Sequence, residues 1–272
     1  MTRWEEVLLW IAIGGYGLAF AAFLNGMVFK RDRFPLFGFK LIVGGFVSHT
    51  LAVAVRWYAT GHAPVMHTYE NSLIGIWFLI LIYLGLSHYF PPSRMFGVVV
   101  APFSLLILGN GLLVGAELQP LEPAFRSNWL FIHVLFAWLS FGSYLLAFAD
   151  GIMYLLKDKA KVGTLTRFPE LNLLEELSLR LILFGFFCQA VMVGSGAIWA
   201  HGLWGRYWGW DPVETWSLIS WLIYGLNLHL RITLGWSGKK AAWLAIGSLF
   251  GIVFLFFGFG HGSSVHTEMF SK

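Results

Sequence analysis

Cysteine and charge are what this sequence has least of. Its 272 residues hold one cysteine, Cys188, so neither an internal disulfide nor a C-x-x-C redox or zinc pair can be built from it. Charged residues make up 12% of the chain, about half the share of a soluble domain. No hydrophilic stretch is long enough for a separate soluble domain. The longest, from Lys157 to Glu176, reads as a loop. Tandem repeats and low-complexity linkers are absent. So is any basic stripe on an otherwise soluble surface, and the formal charge of +4 therefore does not indicate a nucleic-acid partner.

What is present is hydrophobic sequence, at 58% of residues. Runs of about 20 apolar residues, the length that crosses a hydrocarbon core, recur eight times, near 7–29, 36–59, 71–90, 96–116, 129–156, 177–199, 213–234 and 241–262. The expectation is an all-α polytopic membrane protein, with residues 1–272 forming a single integral membrane domain. Eight spans put both termini on one side. The connections after spans one, three, five and seven carry Lys30, Arg31, Arg33, Arg94, Lys157, Lys159, Lys161, Arg167, Arg231, Lys239 and Lys240, against Arg3, Arg56, Arg126, Arg206 and Lys272 opposite. By the positive-inside rule the first set is cytoplasmic and both termini are extracytoplasmic. The first apolar run, flanked by Glu5 and Glu6 with no clear cleavage site, reads as a retained span and not a signal peptide.

The densest feature lies between spans six and seven, on the outer side. Trp199, Trp204, Trp208, Trp210, Trp216 and Trp221 crowd residues 199–221. Trp suits either an interfacial belt or a platform for a broad apolar ring with a polar edge. A belt spreads its aromatics over many helix ends, so crowding on one connection favours ligand binding. Gly202, Gly205 and Gly209 let the connection turn and approach a ligand closely. Asp211, Pro212 and Glu214 form a helix-start signature, with Asp at the N-cap, Pro at the first position and Glu three residues after the cap. Arg206 is a fixed positive charge suited to an anionic group or to lipid phosphate.

Topology also sorts the nine histidines. His133 sits one turn inside the outer end of span five, and His261 and His266 sit at the outer end of span eight. His62, His67 and His201 fall in outer loops. His49, His88 and His229 lie deeper, and an intramembrane imidazole must be paired, hydrated or bound. A hydrogen bond to a neighbouring helix accounts for His49 and His88. His229, about 22 Å inward from Glu214 at 1.5 Å per residue, follows Gly225 by one turn, which would leave room for a bulky ligand. Imidazoles from different helices beside an aromatic platform suit haem iron better than a tetrahedral zinc site.

These residues resemble a known family. W-G-x-Y-W-x-W-D-P-x-E-T-W-x-x-I-x-W followed by L-H-x-R is similar to the WWD signature of the haem-handling proteins of cytochrome c biogenesis, and within them to the CcsA (ResC) subunits of system II cytochrome c synthetase, relatives of CcmC and CcmF. Gly61-His62-x-Pro64 followed by Tyr69-Glu70 resembles that family's G-H-x-P and Y-E-S segment. The resemblance runs from about residue 60 to the end. It departs at Asn71, where Ser is usual, and in the C-terminal G-H-G-S-S-V-H-T.

The resemblance implies haem b as bound substrate. His133 and His266 would be its axial ligands outside, with His261 the alternative to His266, and His229 would hold it within the membrane. Trp199, Trp204, Arg206, Trp208, Trp210, Asp211, Trp216 and Trp221 would form the haem-binding segment. It implies cytochrome c synthetase (haem lyase) activity, in which haem is delivered to the outer face for thioether attachment to the CxxCH motif of apocytochrome c. The partners would be apocytochrome c and a CcsB-type membrane subunit with a large extracytoplasmic domain. The implied location is the bacterial cytoplasmic membrane, with a thylakoid membrane as the alternative. A haem exporter or chaperone similar to CcmC, which presents haem without attaching it, and an unrelated small-molecule transporter stand as the other readings.

Overall fold

A computed structural model describes residues 1–29, 33–160, 165 and 168–253. With almost no water in a bilayer core, backbone N–H and C=O groups must be satisfied within their own segments, and helices do so. Among the described residues the order is α1 (Arg3–Val28), α2 (Arg33–Thr60), α3 (Thr68–Tyr89), α4 (Gly97–Val114), α5 (Asn128–Lys159), α6 (Leu171–Trp204), α7 (Pro212–Ile232) and α8 (Gly238–Val253), with short 3₁₀ turns at Pro91–Phe96 and Pro123–Phe125 and no strand. Six of these segments, α1 to α6 with the first 3₁₀ turn joined to α4, are long and apolar enough to cross a membrane. The chain is an integral membrane protein. The polar side chains of α7 lower its hydropathy below theirs, and α8 is described for only 16 residues.

The helices follow the expected runs, and all but α4 begin before them. α6 begins at Leu171 and ends at Trp204, beyond the expected 177–199. At 34 residues it is about 51 Å long, well over a hydrocarbon core of roughly 30 Å. Trp199, His201 and Trp204 therefore belong to its last turns and not to a loop.

The helices fall into two compact units, α1 to α4 in the first, to which Leu165 and Phe168 also belong, and α5 to α8 in the second. In the first unit α1 and α2 touch through glycine. A Cβ on Gly15 would lie 3.2 Å from Gly45 Cα, and one on Gly45 would lie 2.9 Å from the Tyr16 ring, the close approach that small residues permit between spans. Tyr16 Oη lies 3.1 Å from His49 Nδ1, so His49 has the neighbouring-helix hydrogen bond expected of it.

A buried ionic cluster ties the first unit's helix ends together. Arg56 is 1% exposed and Glu5 is fully buried. Arg56 Nε donates to Glu70 Oε1 at 3.0 Å, and its two terminal nitrogens donate to the Ala116 and Glu117 carbonyls at 2.9 and 2.7 Å. Glu70 also accepts from Met66 N, while Tyr69 Oη donates to Glu5 Oε1 at 2.7 Å. His62 Nε2 reaches the Gln119 carbonyl at 3.2 Å. The G-H-x-P and Y-E segment thus serves here as a lock on residues 115–119. Arg56, counted above among outer basic residues, is neutralised inside this lock.

Breaking a buried pair leaves an uncompensated charge. Arg56→Ala is expected to destabilise the first unit by about 3–5 kcal/mol, read as a lowered midpoint in detergent-denaturant unfolding. An unchanged midpoint would show that the cluster contributes nothing.

Candidate functional site

The Trp-rich segment is part helix and part connection, all within the second unit. α6 stops at Gly205, whose φ of +70° is the left-handed conformation glycine adopts without a Cβ penalty. Its N–H closes the helix on the His201 carbonyl at 2.9 Å. Residues 205–211 form the connection, and α7 starts at Pro212. Gly202 stays helical in open surroundings, so of the three glycines only Gly205 and Gly209 shape the turn. A Cβ on Gly209 would collide with the Arg206 guanidinium, which packs over it.

The start of α7 is a full capping box. Asp211 Oδ1 accepts from Val213 N at 2.9 Å, and Glu214 Oε2 accepts from Asp211 N at 3.2 Å and from Gly209 N at 2.7 Å. The two acids thereby fasten the connection onto α7. The conformation they hold is costly at one point. Trp210 has φ +56° and is 70% exposed, and an L-residue with a large side chain rarely takes that backbone.

The tryptophans divide by environment. Trp199 is buried; its Nε1 donates to the Ala124 carbonyl at 3.1 Å, and its ring meets Trp204 edge-on at 5.8 Å. Trp208 and Trp210 meet edge-on at 5.8 Å, and His201 stacks on Tyr207 at 4.2 Å. Trp216 is half-buried near the start of α7. Trp221 stacks on Phe186 of α6 at 4.7 Å and 9°, a helix-packing contact. The outward aromatic surface is therefore Tyr207 and Trp210, with Trp204 and Trp208 half-exposed behind them.

His133 lies on α5, which begins at Asn128 behind the N-cap Ser127. Its Nδ1 donates to the Met192 carbonyl of α6 at 2.9 Å. Gly196 makes this approach feasible, because a Cβ there would sit 2.6 Å from His133 Nδ1. A carbonyl accepts only, so Nδ1 is the donor, and in the neutral ring the lone pair is on Nε2, the arrangement typical of a metal-ligating imidazole. Gly196 is one turn before Trp199 on α6, which brings His133 to the Trp-rich end of the unit. Neither Gly196 nor the Met192 carbonyl was singled out from sequence.

His229 sits in the last turn of α7 with its side chain exposed. The space expected over Gly225 is filled, since a Cβ there would meet the Phe186 ring at 3.3 Å. Room for a ligand at His229 thus lies outward from α7, not beside Gly225. His261 and His266 lie outside the described residues. Among the described residues no cluster of His, Cys, Asp or Glu could hold a bare metal ion.

Residues 65–266 match the family described as cytochrome C assembly protein. The chain belongs to that family. The chain is also similar to relatives called cytochrome c biogenesis protein CcsA. The one from Chlamydomonas reinhardtii is 36% identical, covering 81% of this chain and 65% of its own length. That from Guillardia theta is 34% identical with 81% of each covered, and that from Prochlorococcus marinus (strain NATL2A) is 36% identical with 77% of each covered. The chain therefore spans just under two thirds of the first relative's length. Among solved structures, cytochrome c heme lyase CcmF superposes with a TM-score of 0.71 at 17% identity, over 96% of this chain and 50% of that one, a likeness of fold.

The capping box generates a test. Glu214→Ala should free the Gly209 and Asp211 amides and speed their hydrogen exchange, while Asp211→Ala should cost about 1 kcal/mol at the start of α7. Exchange as slow as in the unaltered chain would mean the connection is held by other contacts.

Proposed function

We propose that this assembly-family chain binds haem at the Trp-rich end of its second unit and positions it for attachment to apocytochrome c, as the haem-handling subunit of a cytochrome c synthetase. The observation that carries the reading is the Nδ1–H bond from His133 to the Met192 carbonyl, which leaves Nε2 as the basic nitrogen beside the Trp-rich segment. Family membership argues for a role in cytochrome c biogenesis and against an unrelated transporter.

In this reading haem b is the substrate. His133 Nε2 and His266, or His261 in its place, are the iron's axial ligands. Trp204, Trp208 and Trp210 offer faces and edges to the porphyrin, Trp199, Trp216 and Trp221 support that surface from within, and exposed Arg206 suits a propionate. Asp211 acts indirectly by holding the connection. His229, exposed on α7, would hold haem at depth, opposite a CcsB-type membrane subunit with a large extracytoplasmic domain. The positive-inside pattern supports placing the Trp-rich end outside the membrane.

The chemistry is addition of two thiols across two vinyl groups. Each sulfur bonds one vinyl carbon and its proton goes to the other, so no oxidant is consumed. The single cysteine of this chain, Cys188, is buried in α6, so the thiols must come from the CxxCH segment. The chain's contribution is orientation, which turns a collision of separate groups into a positioned encounter.

Co-expression with a CcsB-type partner and a c-type apocytochrome should yield covalent haem, scored by haem staining of denatured cytochrome. His133→Ala should abolish it, and Trp221→Phe, which keeps the stack on Phe186, should preserve it. Full attachment in His133→Ala would refute the assignment.

A further inference from the structure

α7 buries Ser217, Ser220, Tyr224, Asn227, Leu228 and Arg231. All but Leu228 are polar. Their spacing of three and four residues puts them on one inward stripe, while Leu222 and Leu226 are exposed. Packing between spans is usually met by small or apolar residues and scattered hydrogen bonds. A polar stripe running almost the whole helix exceeds that need.

The other helices of the second unit answer it with polar groups. Tyr144 Oη donates to Gln189 Oε1 at 3.0 Å, and Gln189 Nε2 donates to Ser220 Oγ at 2.6 Å. Asn227 Nδ2 donates to Ser248 Oγ at 3.1 Å, and Arg231 donates to Ser178 Oγ at 3.1 Å. Tyr224 stacks on Tyr144 at 3.4 Å. The answer is nevertheless incomplete. Among the described residues, Ser140 Oγ, Asp150 Oδ1, Tyr224 Oη and Asn227 Oδ1 are buried with no hydrogen-bond partner. A buried polar group left unsatisfied forfeits its hydration without recompense. Water, bridging several polar atoms, is the ordinary occupant of such positions.

The seam has an opening. Asp150, 1% exposed, lines a narrow crevice with Tyr154, Glu175, Ser178 and Arg231. Glu175 and Arg231 also line a wider cavity of about 470 Å³ at the basic-loop end of the unit. At the other end Ser217 Oγ donates to the Val213 carbonyl at 2.7 Å, just inside the capping box. From Ser217 to Arg231 is about 21 Å at 1.5 Å per residue, most of a hydrocarbon core of roughly 30 Å. A buried carboxylate at membrane depth is the group that proton pathways use.

We propose that this seam holds a file of water molecules and conducts protons along α7, with Asp150 the exchanging carboxylate at the basic-loop end. A proton entering from the wider cavity protonates Asp150, which gives it to the adjoining water. Tyr224 and the serine hydroxyls each accept one proton as they release another. No other bond changes, and one proton is moved per passage. None of these residues is one of the tryptophans or a proposed iron ligand, although Ser217 and Ser220 lie within 199–221 and Asn227 and Arg231 flank His229 on α7, and the proton flux that tests the seam does not require haem.

The test is proton flux through the full chain reconstituted in liposomes, with an internal pH dye and a potassium diffusion potential. The unaltered chain and Leu226→Ala should admit protons faster than protein-free liposomes, while Asp150→Asn and Tyr224→Phe should fall to the protein-free rate. Flux no faster than the protein-free rate in the unaltered chain, or undiminished in either variant, overturns the proposal. Hydroxyl-radical footprinting of the unaltered chain gives an arm that needs no variant. Buried Tyr224 should be oxidised by adjoining water, and protection equal to that of buried Tyr83 would rule the water file out.

Discussion

With 12% of its residues charged, this chain is built around one constraint: a polar group taken from water must find its partner inside the protein. The constraint first makes every spanning segment a helix, since only then are backbone groups satisfied locally. It then decides where polar side chains can stand. In the first unit it gathers Glu5, Arg56 and Glu70 into one buried cluster. In the second it ties His133 to the Met192 carbonyl, and along α7 it collects Ser217, Ser220, Tyr224, Asn227 and Arg231 on one face.

The same constraint explains how an exposed aromatic surface can be held still. The connection 205–211 packs Tyr207 on His201 and Trp208 against Trp210, and its backbone is fixed by local hydrogen bonds. Gly205 ends α6, and the acids at 211 and 214 accept the amides that the turn would otherwise leave open. Trp210 is thereby kept in a backbone conformation it would not choose. Strain held by surrounding hydrogen bonds is typical of a binding element, and it leaves Tyr207 and Trp210 facing outward.

Much of this was legible in the sequence. Apolar runs gave the order of the helices to within a turn or two, and the Asp-Pro-x-Glu signature is a capping box. What could not be read has a physical reason in each case. Arg56 and Glu70 are local neighbours, but Glu5 is 51 residues from Arg56 (56 − 5) and meets it only through packing. The partner of His133 is a backbone carbonyl, which has no sequence identity. Gly196 could have been noticed, as a small residue one turn before Trp199. The α7 stripe is visible in its spacing of three and four, but which face of that helix is buried depends on the helices packed against it. Room beside Gly225 was expected from one helix alone, and the Phe186 ring that fills it belongs to the facing one.

The central claim is that the Trp-rich end of the second unit holds haem through His133. It is tested most directly by the optical and electron paramagnetic resonance spectra of the purified full chain. The account predicts bound low-spin haem with two imidazole ligands, converted to a high-spin or haem-free form by His133→Ala. A colourless chain, or a low-spin spectrum unchanged by that substitution, would contradict it.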